Sequence, residues 1–298
     1  MTVTVGCIAL EVRDPVQGVG VPTHLLYPAR AAEREQAFGP YALAVATDAA
    51  IEGDALPLVV LSHGNGGSPW GYRDLAAHLV RSGFVVAMPE HPGNSRADNA
   101  LAGTPANLAN RPRHVGLVAD AAFGHPAFDA KLIDQRYSVI GHSIGGYTAL
   151  AVAGGHPLAM PNETADGKAH PVAVERDLRV SALVLLAPAA PWFLAPGALA
   201  DVTAPILLFT GARDEIAPRM WADLILRGVP DPARVDHREI AGAGHFSFMS
   251  PFPPARVSPS FPPSQDPPGF DRAAYLPLLC DDVRAFLMSV HEPRATQT

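Results

Sequence analysis

The chain has 298 residues, of which 22 are lysine or arginine and 29 are aspartate or glutamate, so its formal net charge is −7. Hydrophobic residues make up 48% of the chain and charged residues 17%, a composition that excludes an intrinsically disordered protein and is typical of a globular one. Because no cluster of lysines and arginines could follow a phosphate backbone, the sequence also argues against a nucleic-acid partner.

The apolar stretches and the cysteines predict a cytoplasmic protein without membrane insertion. Residues 1–6 lack the basic start of a signal peptide. The uncharged stretch of residues 180–200 contains three prolines, which a membrane-spanning helix rarely carries. Cys7 and Cys280 lie near opposite ends of the chain, and we interpret them as free core thiols of a protein from a reducing compartment.

The pattern along the chain predicts an α/β protein. Two β-rich runs, residues 3–12 and 21–27, predict an N-terminal antiparallel hairpin, whereas residues 29–55 are rich in alanine and give no definite prediction beyond a partly helical segment. From residue 57 onward, continuous apolar strands alternate with helices, which is typical of a mostly parallel central sheet covered by helices on both faces. The predicted strands are 57–61, 84–88, 137–140, 182–186, 206–210 and 235–240, and the predicted helices are 72–81, 115–123, 144–153, 220–226 and 271–290.

Two segments interrupt this alternation. Residues 156–177 are polar and contain proline and glycine, which predicts a surface insertion. Residues 250–269 contain eight prolines in twenty positions, and we interpret them as an extended arm or a loop in preference to a functional lid. Residues 1–298 contain no linker, so a single domain is predicted.

The sharpest chemical signal is a strand that runs directly into Gly141-His142-Ser143-Ile144-Gly145. A sharp turn from strand to helix pushes the serine hydroxyl out at the carboxyl edge of the sheet, and the glycines leave room for the strained backbone. The helix that begins at Ile144 points free N–H groups at the place where negative charge would develop. We therefore predict Ser143 to be a catalytic nucleophile, with a purely structural turn as the alternative, and we interpret His142 as a packing residue.

A nucleophilic serine needs a base and an orienting carboxylate, which in this arrangement follow the serine in the order acid, then histidine. Asp214 and His245 each follow a predicted late strand, so both are expected at the same sheet edge as Ser143. Glu215 is the alternative acid, but Asp214 occupies the position after Gly-x-Arg that is typical of this loop. The competing histidines lie in loops, in the tail or inside a strand, namely His156, His170, His291 and His237.

A glycine-rich loop, residues 61–67, follows the first apolar strand. Such a loop lets backbone N–H groups face a tetrahedral oxyanion without side chains in the way. We predict the backbone N–H groups of Asn65 and Ile144 as the oxyanion donors, with a plain turn as the alternative. The loop does not match a nucleotide phosphate cradle, because the Lys-Ser/Thr ending of that motif is missing.

Two further groups have weaker signals. Residues 90–98 include His91 and Asp98 but lack the spacing of a ligand set, so a polar loop is preferred and no metal site is predicted. Trp192, Phe193 and Phe246 follow predicted strands, and we predict that they line a substrate pocket, with core packing as an equal alternative.

Taken with their spacing, these motifs resemble the α/β-hydrolase superfamily. The resemblance covers roughly residues 57–290 and rests on residues 61–67, 72–83, 84–95 and 141–146. Within the superfamily, the sequence is similar to the branch of platelet-activating-factor acetylhydrolases and dienelactone-hydrolase-like proteins.

The resemblance implies the α/β-hydrolase fold and a serine carboxylic ester hydrolase that acts on a small-molecule ester without metal or organic cofactor. It also implies Ser143, Asp214 and His245 as the catalytic triad and Asn65 as an oxyanion donor. Two alternatives stay open, an acyltransferase or thioesterase that uses the same acyl-enzyme and a catalytically silent ligand-binding protein on the same fold. The oligomeric state is not predicted.

Overall fold

The computed structural model describes residues 2–291 of the chain. The strands are β1 (Thr4–Asp14), β2 (Val19–Ala29), β3 (Arg34–Phe38), β4 (Tyr41–Thr47), β5 (Leu56–Ser62), β6 (Val85–Pro89), β7 (Leu132–His142), β8 (Leu158–Ala159), β9 (His170–Pro171), β10 (Val180–Leu186), β11 (Ile206–Gly211) and β12 (Val235–Ile240). The α-helices are α1 (Arg73–Arg81), α2 (Pro105–Phe123), α3 (Ile144–Val152), α4 (Met220–Gly228) and α5 (Arg272–His291). Every strand and helix predicted from residue 57 onward is present, with shifts at the ends.

Ten strands form one sheet in the order β12-β11-β10-β7-β5-β6-β2-β1-β4-β3. Neighbours from β12 to β6 are parallel, and β2 joins β6 in antiparallel orientation. The predicted mostly parallel sheet is therefore confirmed. Because the six parallel strands point the same way, the loops at their carboxyl ends meet at one edge of the sheet.

The N-terminal part of the sheet consists of two hairpins. Strands β1 and β2 pair in antiparallel register from Thr4 opposite Ala29 to Asp14 opposite Val19, which confirms the predicted hairpin. The segment without a definite prediction forms a second antiparallel hairpin, β3 and β4, and not a helix. Tyr41 and Val45 of β4 are buried on the same face of the strand, so tertiary burial outweighs the helix propensity of the neighbouring alanines.

The two faces of the sheet are both buried, as β5 illustrates. Leu58 and Val60 belong to the core on the side of α2, α3 and α4, whereas Val59 and Leu61 belong to the core on the side of α1 and α5. All four side chains are at most 1% exposed. The predicted helical layers on both faces are thus confirmed. None of the helices within residues 2–291 is long and apolar enough to span a membrane.

Helix α2 begins ten residues before its predicted start at residue 115. The hydroxyl oxygen of Thr104 accepts a hydrogen bond from the Asn107 amide at 3.2 Å and caps the first turn. Pro112 lies inside the helix, and a proline usually interrupts helical hydrogen bonding, which hides the first two turns from a pattern-based prediction. The early start places Arg111 in the core, where it is fully buried.

The two interrupting segments both contain short regular elements. Residues 156–177 lie mostly at the surface and contain the small antiparallel pair β8 and β9. Residues 250–269, the proline arm, follow an extended path with two short 3₁₀ turns. The guanidinium of Arg272 holds this arm, because it donates to the carbonyl oxygens of Pro263 and Gln265 and to Asp266 Oδ1, each at 2.8 Å.

Candidate active site

Ser143 lies at the turn between β7 and α3, with φ 56° and ψ −120°. This left-handed conformation is costly for a residue with a side chain and is typical of the turn that exposes a nucleophile. The turn is possible because a Cβ at Gly141 would collide with the Gly145 carbonyl, and one at Gly145 would collide with the Ser62 carbonyl. The two glycines therefore allow α3 to pack directly against the end of β5.

His245 and Asp214 form a hydrogen-bonded pair at the same sheet edge. Nδ1 of His245 lies 2.9 Å from Oδ2 of Asp214, and both side chains are buried. Oδ1 of Asp214 accepts the backbone N–H groups of Ile216 at 2.9 Å and Ala217 at 2.7 Å, which fixes the carboxylate. Glu215, the alternative acid, is exposed on the same loop.

Ser143 and His245 both line one cavity of about 280 Å³. Within residues 2–291 the serine hydroxyl has no hydrogen-bond partner, so Ser143 and His245 are not hydrogen-bonded to each other in this structure. Catalytic hydrogen bonds are often long or misaligned without substrate and tighten when substrate binds. The pair is thus brought to one cavity with the histidine already oriented by its carboxylate.

The glycine-rich loop after β5 lies beside the serine. A Cβ at Gly64 would lie 3.5 Å from the Ser143 Cβ, and Gly67 donates its N–H to the Gly64 carbonyl at 3.1 Å, which closes a tight turn. The backbone N–H groups of Asn65 and Ile144 have no acceptor in the part of the chain that the structure describes. Both predicted oxyanion donors are therefore free to bind a ligand.

His142 lies in the cavity wall and is 2% exposed. Its Nε2 donates to the backbone carbonyl of His245 at 2.8 Å, so Nδ1 is unprotonated, and this atom has no partner among the described residues. Burial, together with the nearby His245, lowers the pKa of His142 to about 3. The residue is thus a neutral support for the backbone of His245, a role beyond the packing that the sequence indicated.

The cavity has an aromatic wall, part of which comes from the proline arm. The arm contributes Phe252, Arg256, Phe261 and Pro263, and Arg256 lies 5.1 Å over the Phe261 ring. The remaining large or charged side chains of the wall are Tyr41, Tyr72, Arg96, Ile216, Phe246 and Met249. No aspartate or glutamate of residues 2–291 is in this lining.

Of the three predicted pocket residues, only Phe246 lines the cavity. Trp192 and Phe193 pack beneath α3 against Tyr147, with ring centroids 4.8 and 5.5 Å apart, and the Trp192 indole donates to the Glu163 carboxylate at 2.9 Å. They lie there because the short turn Pro191–Phe193 after β10 folds onto the helical face of the sheet, away from its carboxyl edge.

A buried polar network behind the glycine-rich loop was not predicted from the sequence. His91 belongs to this network, because it contacts Ser62 Oγ at 2.9 Å and His114 Nδ1 at 3.1 Å. Asp98 instead accepts a hydrogen bond from the Ala100 amide at 3.0 Å, so the two residues of the 90–98 segment do not contact a common partner. Across residues 2–291 no three His, Cys, Asp or Glu side chains are grouped as metal ligands would be. The centre of the network is Arg111 of α2, and nothing in the sequence distinguishes it from the neighbouring Arg113.

Comparison with known proteins agrees with this fold. Residues 57–201 match the family model described as the alpha/beta hydrolase fold. A ferulic acid esterase from Streptomyces cinnamoneus superposes with a TM-score of 0.67 at 20% identity, over 97% of this chain and 89% of that one.

A dienelactone hydrolase from Anabaena variabilis ATCC 29413 superposes with a TM-score of 0.58 at 18% identity, over 97% of this chain and 99% of that one. No curated protein matches the chain by sequence. The sheet order, the turn at Ser143 and the match over residues 57–201 together identify the chain as a protein of the α/β-hydrolase fold.

Proposed function

We propose that this protein is a serine-dependent carboxylic ester hydrolase. The observation that carries the proposal is the meeting of three parts at one cavity. These are a serine on a left-handed turn, a histidine whose Nδ1 is 2.9 Å from a buried aspartate, and two backbone N–H groups without an acceptor in the described chain, one on Asn65 in the cavity wall and one on Ile144 directly after the serine. An acyl-transfer site needs a nucleophile, an oriented base and oxyanion donors together.

The proposed reaction proceeds through an acyl-enzyme. Nε2 of His245 takes the proton from Ser143 Oγ as this oxygen attacks the ester carbonyl carbon, and the backbone N–H groups of Asn65 and Ile144 bind the resulting oxyanion. The imidazolium then gives its proton to the departing alcohol oxygen, which breaks the ester bond. Asp214 holds the Nδ1–H tautomer and stabilises the imidazolium, and a water molecule releases the acid by the same steps.

The cavity supports a small ester with an apolar or aromatic acyl group. Its volume of about 280 Å³ is at the lower end of ligand sites in general. Its aromatic wall favours planar or branched groups over long flexible chains. The structural neighbours named as a ferulic acid esterase and a dienelactone hydrolase support ester or lactone cleavage as the reaction class.

The wider identity of the protein belongs to the same proposal. Membership of the branch of acetylhydrolases and dienelactone-hydrolase-like proteins rests on the sequence motifs alone. A cytoplasmic location is supported by Cys7 and Cys280, which are both free and buried. Burial raises the pKa of each thiol to about 12, so neither is a reactive thiolate at neutral pH.

The test combines labelling with kinetics. We expect an organophosphonate probe to form an adduct that peptide mapping locates on Ser143, and p-nitrophenyl acetate to be hydrolysed. Ser143→Ala and His245→Ala should abolish hydrolysis to a similar extent, because the groups act as a unit. Unchanged turnover in either variant refutes the assignment, and a wild-type protein without adduct favours a silent binding protein.

The acceptor of the acyl group is decided by product analysis. We expect free acid as the main product when the hydrolysis reaction also contains an alcohol, an amine or a thiol in excess. A main product that carries one of these acceptors would establish an acyltransferase instead. A panel of short, long, aromatic and thio-esters then identifies the preferred substrate class.

A further inference from the structure

Arg111 of α2 is a fully buried cation without a carboxylate partner. Its side chain is 0% exposed, and no aspartate or glutamate among residues 2–291 forms an ion pair with it. The guanidinium instead donates to four neutral oxygens, which belong to Thr148, Asn94, Ser62 and His63. Burial lowers the pKa of Arg111 to about 9, which still leaves the group charged at neutral pH.

One of these hydrogen bonds connects Arg111 to α3, the helix that carries the Ile144 donor. Nε of Arg111 donates to Thr148 Oγ1 at 3.0 Å, and this hydroxyl in turn donates to the Ile144 carbonyl oxygen at 3.0 Å. The hydroxyl therefore connects the guanidinium to the first turn of α3. Any displacement of that turn also moves the Ile144 N–H group.

Two further hydrogen bonds connect Arg111, directly or through Asn94, to the loop that carries the Asn65 donor. Nη2 of Arg111 donates to the backbone carbonyl oxygen of His63, two residues before Asn65. Nη1 donates to Asn94 Oδ1 at 2.7 Å, and Asn94 Nδ2 donates to Asn65 Oδ1 at 2.6 Å. The side chain and the preceding backbone of Asn65 are therefore both held by one guanidinium.

The cost of this arrangement argues for a function beyond packing. Taking a cation out of water is unfavourable, and neutral oxygens offset this cost less well than a carboxylate does. Well-packed apolar residues can often replace buried ions without loss of stability. The stability of the fold alone therefore does not explain why position 111 is an arginine. A planar fork that joins several fixed acceptors, by contrast, is a property that arginine alone offers.

We propose that Arg111 is the positioning residue that sets the separation of the two oxyanion donors, Asn65 and Ile144, and this inference rests on the proposed ester hydrolysis. The guanidinium touches neither substrate nor the reacting atoms. It fixes the position of the loop after β5 relative to the first turn of α3, so that the N–H groups of Asn65 and Ile144 point at the same oxygen. Its positive charge, held against the loop that carries the Asn65 donor, also favours the negative charge of the oxyanion.

The test uses two variants that remove some of these hydrogen bonds but still fill the space in the core. Arg111→Lys keeps the charge but cannot hydrogen-bond to Thr148, Asn94 and His63 at the same time. Thr148→Val keeps the side-chain volume but removes the hydroxyl that connects Arg111 to the Ile144 carbonyl. We expect kcat on p-nitrophenyl acetate to fall about 100-fold in Arg111→Lys and about 10-fold in Thr148→Val, with KM changed less than threefold. Thr23→Val, another buried threonine whose hydroxyl donates to a backbone carbonyl, is the matched control and should keep kcat.

A second readout separates positioning from general damage to the fold. A trifluoromethyl ketone adds to the serine and places a negative oxygen between the donors, whereas the corresponding unreactive amide binds without this charge. We expect inhibition by the ketone to weaken in parallel with kcat, while the dissociation constant of the amide changes less than twofold. Thermal melting of each variant should remain a single transition above the assay temperature.

The outcomes separate this inference from the proposed function. A wild-type protein that neither hydrolyses the ester nor forms the Ser143 adduct overturns both. If the wild type is active and labelled but Arg111→Lys and Thr148→Val keep kcat, the inference alone is overturned. Equal losses of ketone and amide affinity, or a Thr148→Val variant that unfolds at the assay temperature, assign Arg111 and Thr148 to stability and also overturn it.

Discussion

His142 donates its Nε2–H to the backbone carbonyl oxygen of His245 at 2.8 Å, so the residue beside the serine supports the backbone of the proposed base. Its ring lies 4.8 Å from the His245 ring between centroids. The contact joins the end of β7 to the loop after β12. Two loops that are about one hundred residues apart in the sequence are thereby fixed to each other beneath the cavity.

Removing this contact should slow the reaction more than it weakens substrate binding. We expect His142→Leu to lower kcat about 10-fold, because the His245 carbonyl loses its donor and the loop relaxes. His142→Gln places an amide N–H near the position of Nε2 and should restore most of the loss. Steady-state kinetics on one ester decides this, and equal kcat values for the leucine variant and the wild type would contradict the role.

The buried histidines predict loss of stability in mild acid. Burial lowers the pKa of His63 and His142 to about 3 and that of His114 to about 4, and it lowers that of His91 as well. Between these values and the ordinary value near 6.5, the unfolded chain binds protons that the folded chain does not. The free energy of unfolding therefore falls as pH falls below about 6.5, by up to ~1.4 kcal/mol per pH unit for each histidine.

Melting temperatures measured at pH 7, 6 and 5 check this expectation. His114→Gln should reduce the slope of stability against pH, because one buried imidazole no longer resists protonation. The matched control is Thr23→Val, a buried substitution that removes no ionisable group and should leave the slope unchanged. A stability that is flat from pH 7 to pH 5 would contradict the neutral state of the network.

Two glycines on helices should respond in opposite directions to alanine. A Cβ at Gly145 meets the Ser62 backbone, so Gly145→Ala should push α3 away from β5, lower the melting temperature and reduce kcat at least 10-fold. A Cβ at Gly116 in α2 has its nearest neighbour at 3.9 Å, so Gly116→Ala should stabilise the protein by about 0.5–1 kcal/mol. Chemical denaturation measures both, and a stabilised Gly145→Ala would refute the close approach.

Much of this arrangement can be predicted from the sequence because the signals are local. A continuous apolar strand, a glycine-flanked serine and a following helix are contiguous, and they fix the position of Ser143 without knowledge of the rest. Asp214 and His245 follow from the same logic, since a residue directly after a parallel strand must lie at the carboxyl edge of the sheet. The alternation of buried faces likewise needs only the apolar pattern.

The remainder depends on contacts between distant segments, which no local pattern encodes. The face onto which the chain turns after β10 decides whether Trp192 meets the cavity or the core, and this depends on how α3 packs. The role of Arg111 arises only when α2, α3 and the loop after β5 come together around it. The proline arm reaches the cavity because Arg272, which follows it in the sequence, folds back to hold it.

The aromatic wall from the proline arm should determine affinity and not the rate of the chemical step. Phe261 lines the cavity 5.2 Å from the Phe252 ring, so Phe261→Ala should raise KM for an aromatic ester about 10-fold while kcat changes less than threefold. The effect should be smaller on an acetate ester, which does not reach the wall. Val257→Ala, at an exposed position of the same arm, should leave both constants unchanged. An equal KM for Phe261→Ala and the wild type on the aromatic ester would place the acyl group elsewhere in the cavity.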